Sequence, residues 1–126
     1  MIGGREKTRG VKMRINSYQF GKIVIDGKAY DKDCLIVGDT VHASWWRRQG
    51  HVLDPEDLHL VIEAKPAVLV VGCGSPGLMK VSQDTRQTLQ QESIELIVLD
   101  THNAVEKYNE LAEKGEHVEA ALHLTC

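Results

Sequence analysis

Residues 66–81 read PAVLVVGCGSPGLMKV, and the interpretation of the whole chain depends on this stretch. It begins with a continuous apolar run and passes into a loop that contains Gly72, Gly74 and Gly77. An apolar run without alternation is typical of a strand that is covered on both faces. We therefore expect a central strand here, and the loop that follows it is the most favourable place for chemistry.

The chain before this stretch has strand patterns, and the chain after it alternates between helix and strand patterns. Asp26-Gly27 lies between two apolar runs, as a two-residue hairpin turn does. Further strands are predicted over 15–20, 34–37, 41–46, 94–99 and 117–124, and helices are predicted to begin at Asp54-Pro55, Ser82 and Asn103. The run at 94–99 is interpreted as a second buried strand. This order indicates an α/β fold with a parallel crossover between the strands at 67 and 94.

Length and charge limit the possible classes of protein. A chain of 126 residues favours one domain, which we place at residues 15–126. Residues 1–14 carry five basic side chains and are predicted to form a basic, disordered arm. The net charge of -3 argues against binding to nucleic acid.

The sequence also bears on location and on cysteine chemistry. The longest apolar run, 67–71, is too short to cross a membrane, so we expect a soluble, cytoplasmic protein without membrane insertion. Cys34, Cys73 and Cys126 form no C-x-x-C pair, which argues against a disulfide framework and against a thiolate zinc site. The six histidines show no metal-binding spacing, so no metal is predicted.

The loop sequence GCGSPG matches the dinucleotide fingerprint G-x-G-x-x-G at residues 72–77. A dinucleotide site needs a helix that begins within the glycines, whereas Pro76 interrupts this loop and the next helix cap is Ser82. A tight turn that shapes a cleft is therefore favoured, and no cofactor is predicted. Cys73 is interpreted as a structural thiol, with an activated thiolate as the alternative.

Aromatic and cationic side chains are concentrated at Trp45, Trp46, Arg47 and Arg48. This combination is typical of the anchor residues of protein interfaces. Stacking on nucleobases is disfavoured because only 5% of the residues are aromatic. Trp45, Trp46 and Arg47 are therefore predicted to form an interface with a protein partner or with a second copy of the chain.

Several segments resemble one known family. These are INSYQFGKIVIDGKAY (15–30), the WW pair with a histidine downstream, DLHLVIEAKPAVLVVGCGSPG (57–77) and THNAVEKYNELAEKGEHVEAALHLTC (101–126). They resemble the family of domains of unknown function that includes the mitochondrial complex I assembly factor 3 and the adipogenesis-associated Mth domain-containing protein. The resemblance implies a three-layer α/β domain with a central mixed sheet and an additional N-terminal β layer, and it carries over no catalytic residues.

The Asp100-Thr101 corner and the glycine loop match the recurring pattern of that family. Together they define a candidate ligand cleft, formed by Gly72, Cys73, Gly74, Ser75, Gly77, Asp100 and Thr101. Two hypotheses follow. The leading one is a non-enzymatic binding or assembly module. The alternative is a small enzyme or ligand receptor that holds an anionic or carbonyl-containing molecule against the loop amides.

Overall fold

The computed structural model describes residues 13–126. Most of the predicted basic arm, residues 1–12, lies outside the described residues. Met13 packs against the core, and the backbone N–H of Arg14 donates a 2.9 Å hydrogen bond to Asp26 Oδ1. No helix within residues 13–126 is long and apolar enough to cross a membrane.

The described chain consists of short strands followed by alternating helices and strands. In chain order the elements are β1 Ile15–Gln19, β2 Lys22–Ile25, β3 Lys28–Tyr30, β4 Cys34–Val37, β5 Thr40–His42, β6 Val52–Leu53, a 3-10 helix Pro55–Leu58, α1 His59–Ala64, β7 Val68–Gly72, β8 Lys80–Val81, α2 Gln83–Gln91, β9 Glu95–Leu99, α3 Thr101–Glu113 and β10 Val118–Leu122.

The largest sheet has five strands in the order β5-β4-β10-β7-β9. It is mixed, because β10 runs parallel to β7 and antiparallel to β4. Strands β1, β2 and β3 form a separate antiparallel sheet, and β6 pairs with β8. The predicted fold class is confirmed: an α/β domain with a central mixed sheet, helices and an additional N-terminal β layer.

Two apolar cores lie on the two faces of the central sheet. Helix α3 and the β1–β3 sheet cover one face, and helices α1 and α2 cover the other. Strand β7 is buried throughout, with Val68 and Val70 in the first core and Leu69 and Val71 in the second. Its unbroken apolar pattern therefore reports two covered faces, as predicted.

Two strand predictions need correction. The run at 94–99 forms an edge strand, β9, whose apolar residues are only partly buried. Its two faces are covered by α2 and α3, and the pattern of side chains cannot distinguish an interior strand from an edge strand. The strand predicted over 41–46 ends at His42, because Ser44 adopts a φ of 57° in the left-handed region, which interrupts the extended backbone.

Local signals explain most element boundaries. Asp26 and Gly27 adopt φ values of 49° and 82°, as the predicted hairpin turn requires. Lys65 ends α1 in the left-handed region, with φ 52°. Helix α3 begins earlier than predicted, because Asp100 and not Asn103 caps it; the Asp100 carboxylate accepts the Asn103 N–H.

Candidate functional site

The glycine loop turns its backbone inward, toward residues 123–126 and the start of α3. The Gly74 N–H donates to Thr101 Oγ1 at 2.8 Å, and the Ser75 N–H donates to Thr125 O at 2.9 Å. Thr101 Oγ1 in turn donates to His123 O at 2.6 Å. The amides of Gly74 and Ser75 therefore stabilise the fold and are not free to bind an anion.

Close packing explains why glycine occupies this loop. A Cβ at Gly74 would lie 2.2 Å from Thr125 O, and a Cβ at Gly72 would lie 2.9 Å from Thr101 Oγ1. Gly74 also has a φ of 101°, which side chains rarely tolerate. The glycines are thus required by the packing of the chain against itself, which removes the main reason to interpret GCGSPG as a phosphate loop.

A cleft of about 320 Å³ lies beside this loop, and we call it the glycine-loop cleft. Of the predicted ligand residues, Cys73, Gly77 and Asp100 line it, whereas Gly72, Gly74, Ser75 and Thr101 do not. The remaining lining residues are Pro76, Met79, Lys80, Val81, Arg86, Val98 and Leu99. The structure therefore brings only part of the predicted set together.

Neither Cys73 nor Asp100 is activated for catalysis in this cleft. Burial raises the pKa of the Cys73 thiol, and the nearby cations Arg86 and Lys80 only partly oppose this effect. Cys73 is therefore a thiol at neutral pH. Desolvation raises the pKa of Asp100, but hydrogen bonds from Asn103 and from the backbone, together with the nearby His102, outweigh it and lower the pKa, as expected for a helix cap.

A second cleft, of about 240 Å³, is formed between residues 31–33, residues 44–47 with Gly50, and residues 124–125. We call it the tryptophan cleft, because Trp45, Trp46 and Arg47 all line it. The Trp45 indole N–H donates to Asp57 O at 3.0 Å, and the Arg47 guanidinium lies 4.9 Å from the centroid of the Trp45 ring. Trp46 is 82% exposed at the mouth of this cleft. The three predicted interface residues thus share one surface.

An ionic cluster lies under the tryptophan cleft. Asp33 Oδ2 is 2.9 Å from Arg47 Nη1 and 2.8 Å from His123 Nδ1, and Asp33 Oδ1 accepts the Leu124 N–H at 2.8 Å. The Arg47 side chain is 6% exposed, and its Nε donates to Gly50 O at 2.9 Å. Asp33 therefore joins the loop that carries the tryptophans to the segment after β10.

The proton positions in this cluster follow from the contacts of His123. Arg47 Nη2 lies 3.2 Å from His123 Nδ1 and can only donate, while the Asp33 carboxylate, at the shorter distance, can only accept. The shorter contact therefore places the proton on Nδ1. His123 Nε2 is buried without a partner among the described residues, and the His51 ring lies 5.9 Å away, centroid to centroid.

Little in the sequence indicates this cluster. Asp33 lies in the polar segment DKD, and His123 is visible only as part of the closing motif AALHLTC. Asp33, Arg47 and His123 come from three separate segments of the chain, so no sequence motif with a fixed spacing links them. No group of three potential metal ligands occurs within residues 13–126.

Comparison with known protein families shows to which family the chain belongs. The model of a family described as "Protein of unknown function (DUF498/DUF598)" matches residues 15–123. The chain belongs to this family. The match spans all ten strands and both clefts, apart from the last residues that line the tryptophan cleft.

Solved structures of similar proteins support the fold. The conserved hypothetical protein PH1505 from Pyrococcus horikoshii is 28% identical, with a TM-score of 0.79 over 90% of this chain and 99% of that one. The protein MT938 is 25% identical, with a TM-score of 0.76 over 90% and 99%. A Bordetella pertussis protein described as a Mth938-like domain is 17% identical, with a TM-score of 0.64 over 98% and 91%. These three proteins thus share the fold of this chain.

Proposed function

We propose that this protein is a non-enzymatic binding module that docks a partner protein by accepting one apolar side chain of that partner in the tryptophan cleft. The observation that carries the proposal is Trp46, which is 82% exposed at the mouth of a mostly apolar cleft. An exposed tryptophan beside a second tryptophan and an arginine has the composition of an interface hot spot.

The size of the cleft supports a side chain as the ligand. Its volume of about 240 Å³ is below the roughly 300–1,000 Å³ that is usual for small-molecule and cofactor sites. One aromatic or large aliphatic side chain fits such a space and supplies the apolar area on which protein interfaces depend. The cleft therefore suits an anchor residue better than a whole cofactor.

The charges around the cleft also support an apolar side chain of a partner protein as the ligand. Arg47 and Asp33 neutralise each other, and Arg47 is also held by Gly50 O and lies over the Trp45 ring. A partner consequently needs no charged group to enter the cleft. The buried pair keeps the walls of the cleft in place before binding, which lowers the entropic cost of docking.

The proposal includes a role in assembling a protein complex, which is the role that the resemblance to complex I assembly factor 3 implies. In this role the tryptophan cleft is the surface that binds a client protein. A cytoplasmic location belongs to the proposal as well. Cys34, Cys73 and Cys126 are free in the structure, as a reducing compartment would keep them.

The test uses peptides selected from a random display library on the wild-type protein. The only two tryptophans of the chain are Trp45 and Trp46, so intrinsic fluorescence reports directly on the cleft. We expect Trp46→Ala to weaken the selected peptides at least about 30-fold, corresponding to a hot-spot loss of about 2 kcal/mol. Fluorescence of Trp45 follows binding in this variant.

Phe20→Ala is the matched control, because Phe20 is an exposed aromatic residue (60%) that does not line the cleft. Its affinity for the selected peptides should stay within about twofold of the wild type, as expected outside a hot spot. Equal binding by Trp46→Ala and wild type would contradict the proposal, and so would a library that yields no binding peptide.

One observation favours a second candidate function, a receptor or enzyme for a small anion. Lys80 and Arg86 line the glycine-loop cleft, so an anion there would meet two cations instead of the loop amides. Inorganic phosphate and pyruvate should then raise the melting temperature of the wild type, and Arg86→Gln should remove the shift. Gly74→Val is unsuitable for this test because its Cβ would collide with Thr125 O.

A further inference from the structure

Strand β9 has one free edge. Its other edge pairs with β7 over five residues, whereas no strand of the described chain lies alongside the free edge. Helices α2 and α3 pack on its two faces but do not add hydrogen bonds along the edge. Residues 95–99 therefore form an open end of the central sheet.

The register shows which backbone groups point outward. The Glu95 N–H donates to Ala67 O at 3.0 Å, and Leu99 O accepts the Cys73 N–H at 2.8 Å. In a parallel ladder, residues that bond to one neighbour alternate with residues that face the opposite side. Glu95, Ile97 and Leu99 thus bond to β7, and Leu96 and Val98 direct their N–H and C=O groups away from the sheet.

Most side chains of this strand do not protect the edge, because its one charged residue, Glu95, lies at the first position. Leu96, Ile97, Val98 and Leu99 are each partly exposed, and the strand contains no lysine, proline or bulge. Natural proteins usually blunt an open edge with one of these features, or they cover it. An apolar edge of this kind is therefore expected to be covered in the working protein.

We propose that β9 pairs with β9 of a second copy, antiparallel, around a two-fold axis at Ile97. Leu96 then lies opposite Val98 of the second copy, and the two positions exchange both of their outward hydrogen bonds. Because 96 and 98 are symmetric about Ile97, an identical strand satisfies all of the outward groups of both copies. The two central sheets become one continuous sheet.

Charge does not oppose a second copy along β9 or along helix α2. The symmetric register places Glu95 opposite Leu99 of the other copy, so no two carboxylates face each other across the axis. Helix α2, which packs beside β9, is rich in glutamine and carries only Asp84 and Arg86 as charged residues. Like-charge repulsion between the copies is therefore small along this element.

The proposed dimer leaves the tryptophan cleft free. Trp45 and Trp46 follow β5, which forms the opposite edge of the five-stranded sheet. The sheet order separates β5 from β9 by about 19 Å, at roughly 4.8 Å per strand spacing. Loss of the dimer is consequently not expected to change peptide binding at the cleft, and the two proposals can fail independently.

The test combines analytical ultracentrifugation with a proline variant at the free edge. Val98→Pro removes an outward N–H without removing a bond to β7, and proline is tolerated in edge strands at such positions. We expect the wild type to form a dimer as its concentration rises, and Val98→Pro to weaken the dimer at least about tenfold while keeping its far-UV spectrum. Val41→Pro, at the edge strand β5, is the matched control and should keep the dimer.

Hydrogen exchange on the wild type tests the proposal even if the proline variant fails to fold. The amides of Leu96 and Val98 should exchange about tenfold more slowly at concentrations that favour the dimer than at low concentration. A monomer whose two amides exchange freely at every concentration would overturn the proposal. A monomer in which the amides of Leu96 and Val98 are protected would also overturn the proposal, and it would indicate that residues 1–12 cover the edge. A dimer that persists in Val98→Pro would overturn it as well.

Discussion

Replacement of Asp33 by asparagine is the sharpest test of the ionic cluster under the tryptophan cleft. The Asp33→Asn side chain would keep its shape and an acceptor for the Leu124 N–H, but it would lose the charge 2.9 Å from Arg47. The Arg47 side chain is 6% exposed and would be left as a buried cation with no carboxylate beside it. The variant also puts an NH2 group, which can only donate, in place of Oδ2 opposite His123 Nδ1, so it tests the charge and this hydrogen bond together while the packing stays nearly unchanged.

The expected loss can be estimated from the burial of the pair. Removing one partner of a buried ion pair costs about 3–5 kcal/mol, and the 17% exposure of the Asp33 side chain places the value near the lower limit, about 3 kcal/mol. For a domain of this size such a loss lowers the melting temperature by about 10 °C. It would be a large share of the roughly 5–15 kcal/mol by which a domain is stable.

The loss of stability caused by Asp33→Asn should become smaller as the pH falls. Burial alone would raise the pKa of Asp33, but hydrogen bonds from His123, Leu124 and Arg47 outweigh it and hold the pKa below the ordinary value of 3.8. A carboxylate with a depressed pKa contributes stability that is fully present above its unfolded pKa and is lost as the pH falls through its folded pKa. The difference between wild type and Asp33→Asn should therefore shrink below about pH 4.

Urea denaturation followed by tryptophan fluorescence at neutral and acid pH measures this difference. Asp31→Asn is the matched control, because the Asp31 side chain is 83% exposed and lies 4.0 Å from Lys32 at the surface. It should change the free energy of unfolding by less than about 0.5 kcal/mol. The reasoning would be refuted if Asp33→Asn were as mild as this control at pH 7, or if its deficit persisted undiminished in acid.

Three further outcomes follow from the structure. Gly74→Ala should destabilise the protein by at least about 1–3 kcal/mol in thermal unfolding, since the residue has a φ of 101° and its new Cβ would meet Thr125 O; wild-type stability would contradict the packing described for the loop. Asp100→Ala should cost about 1 kcal/mol in chemical denaturation through loss of the α3 cap, whereas Asn103→Ala should cost less. With a colorimetric thiol reagent, one thiol, that of the exposed Cys126, should react rapidly in the native protein, and rapid reaction of a second would show that the buried cysteines are accessible.

Local patterns are sufficient to predict most of the elements. The Asp26-Gly27 turn and the Asp54-Pro55 helix start each depend on residues that are adjacent in the chain, and the structure confirms both. Burial on two faces is also readable for β7, because its alternate side chains face the two covering layers and all of them are apolar. These features depend on short-range sequence, so the sequence contains the information.

Other features require the tertiary arrangement. Side-chain patterns describe the faces of a strand and contain nothing about its edges, so the pattern of β9 predicts a buried strand where the structure has an edge. The glycine loop matches a nucleotide motif, but the structure engages its amides at Gly74 and Ser75 with Thr101 and Thr125. The Trp45–Arg47 surface is visible as a local cluster, whereas its support by Asp33 depends on the fold.

The position of β10 in the sheet has a consequence for the synthesis of the protein. Strand β10 lies between β4 and β7, and in the sheet these two strands are joined only through it. Residues 118–122 must therefore leave the ribosome before the strands made earlier can be united. Until then both sides of the gap expose apolar strand edges, and a nascent chain in this state is a natural client for chaperones.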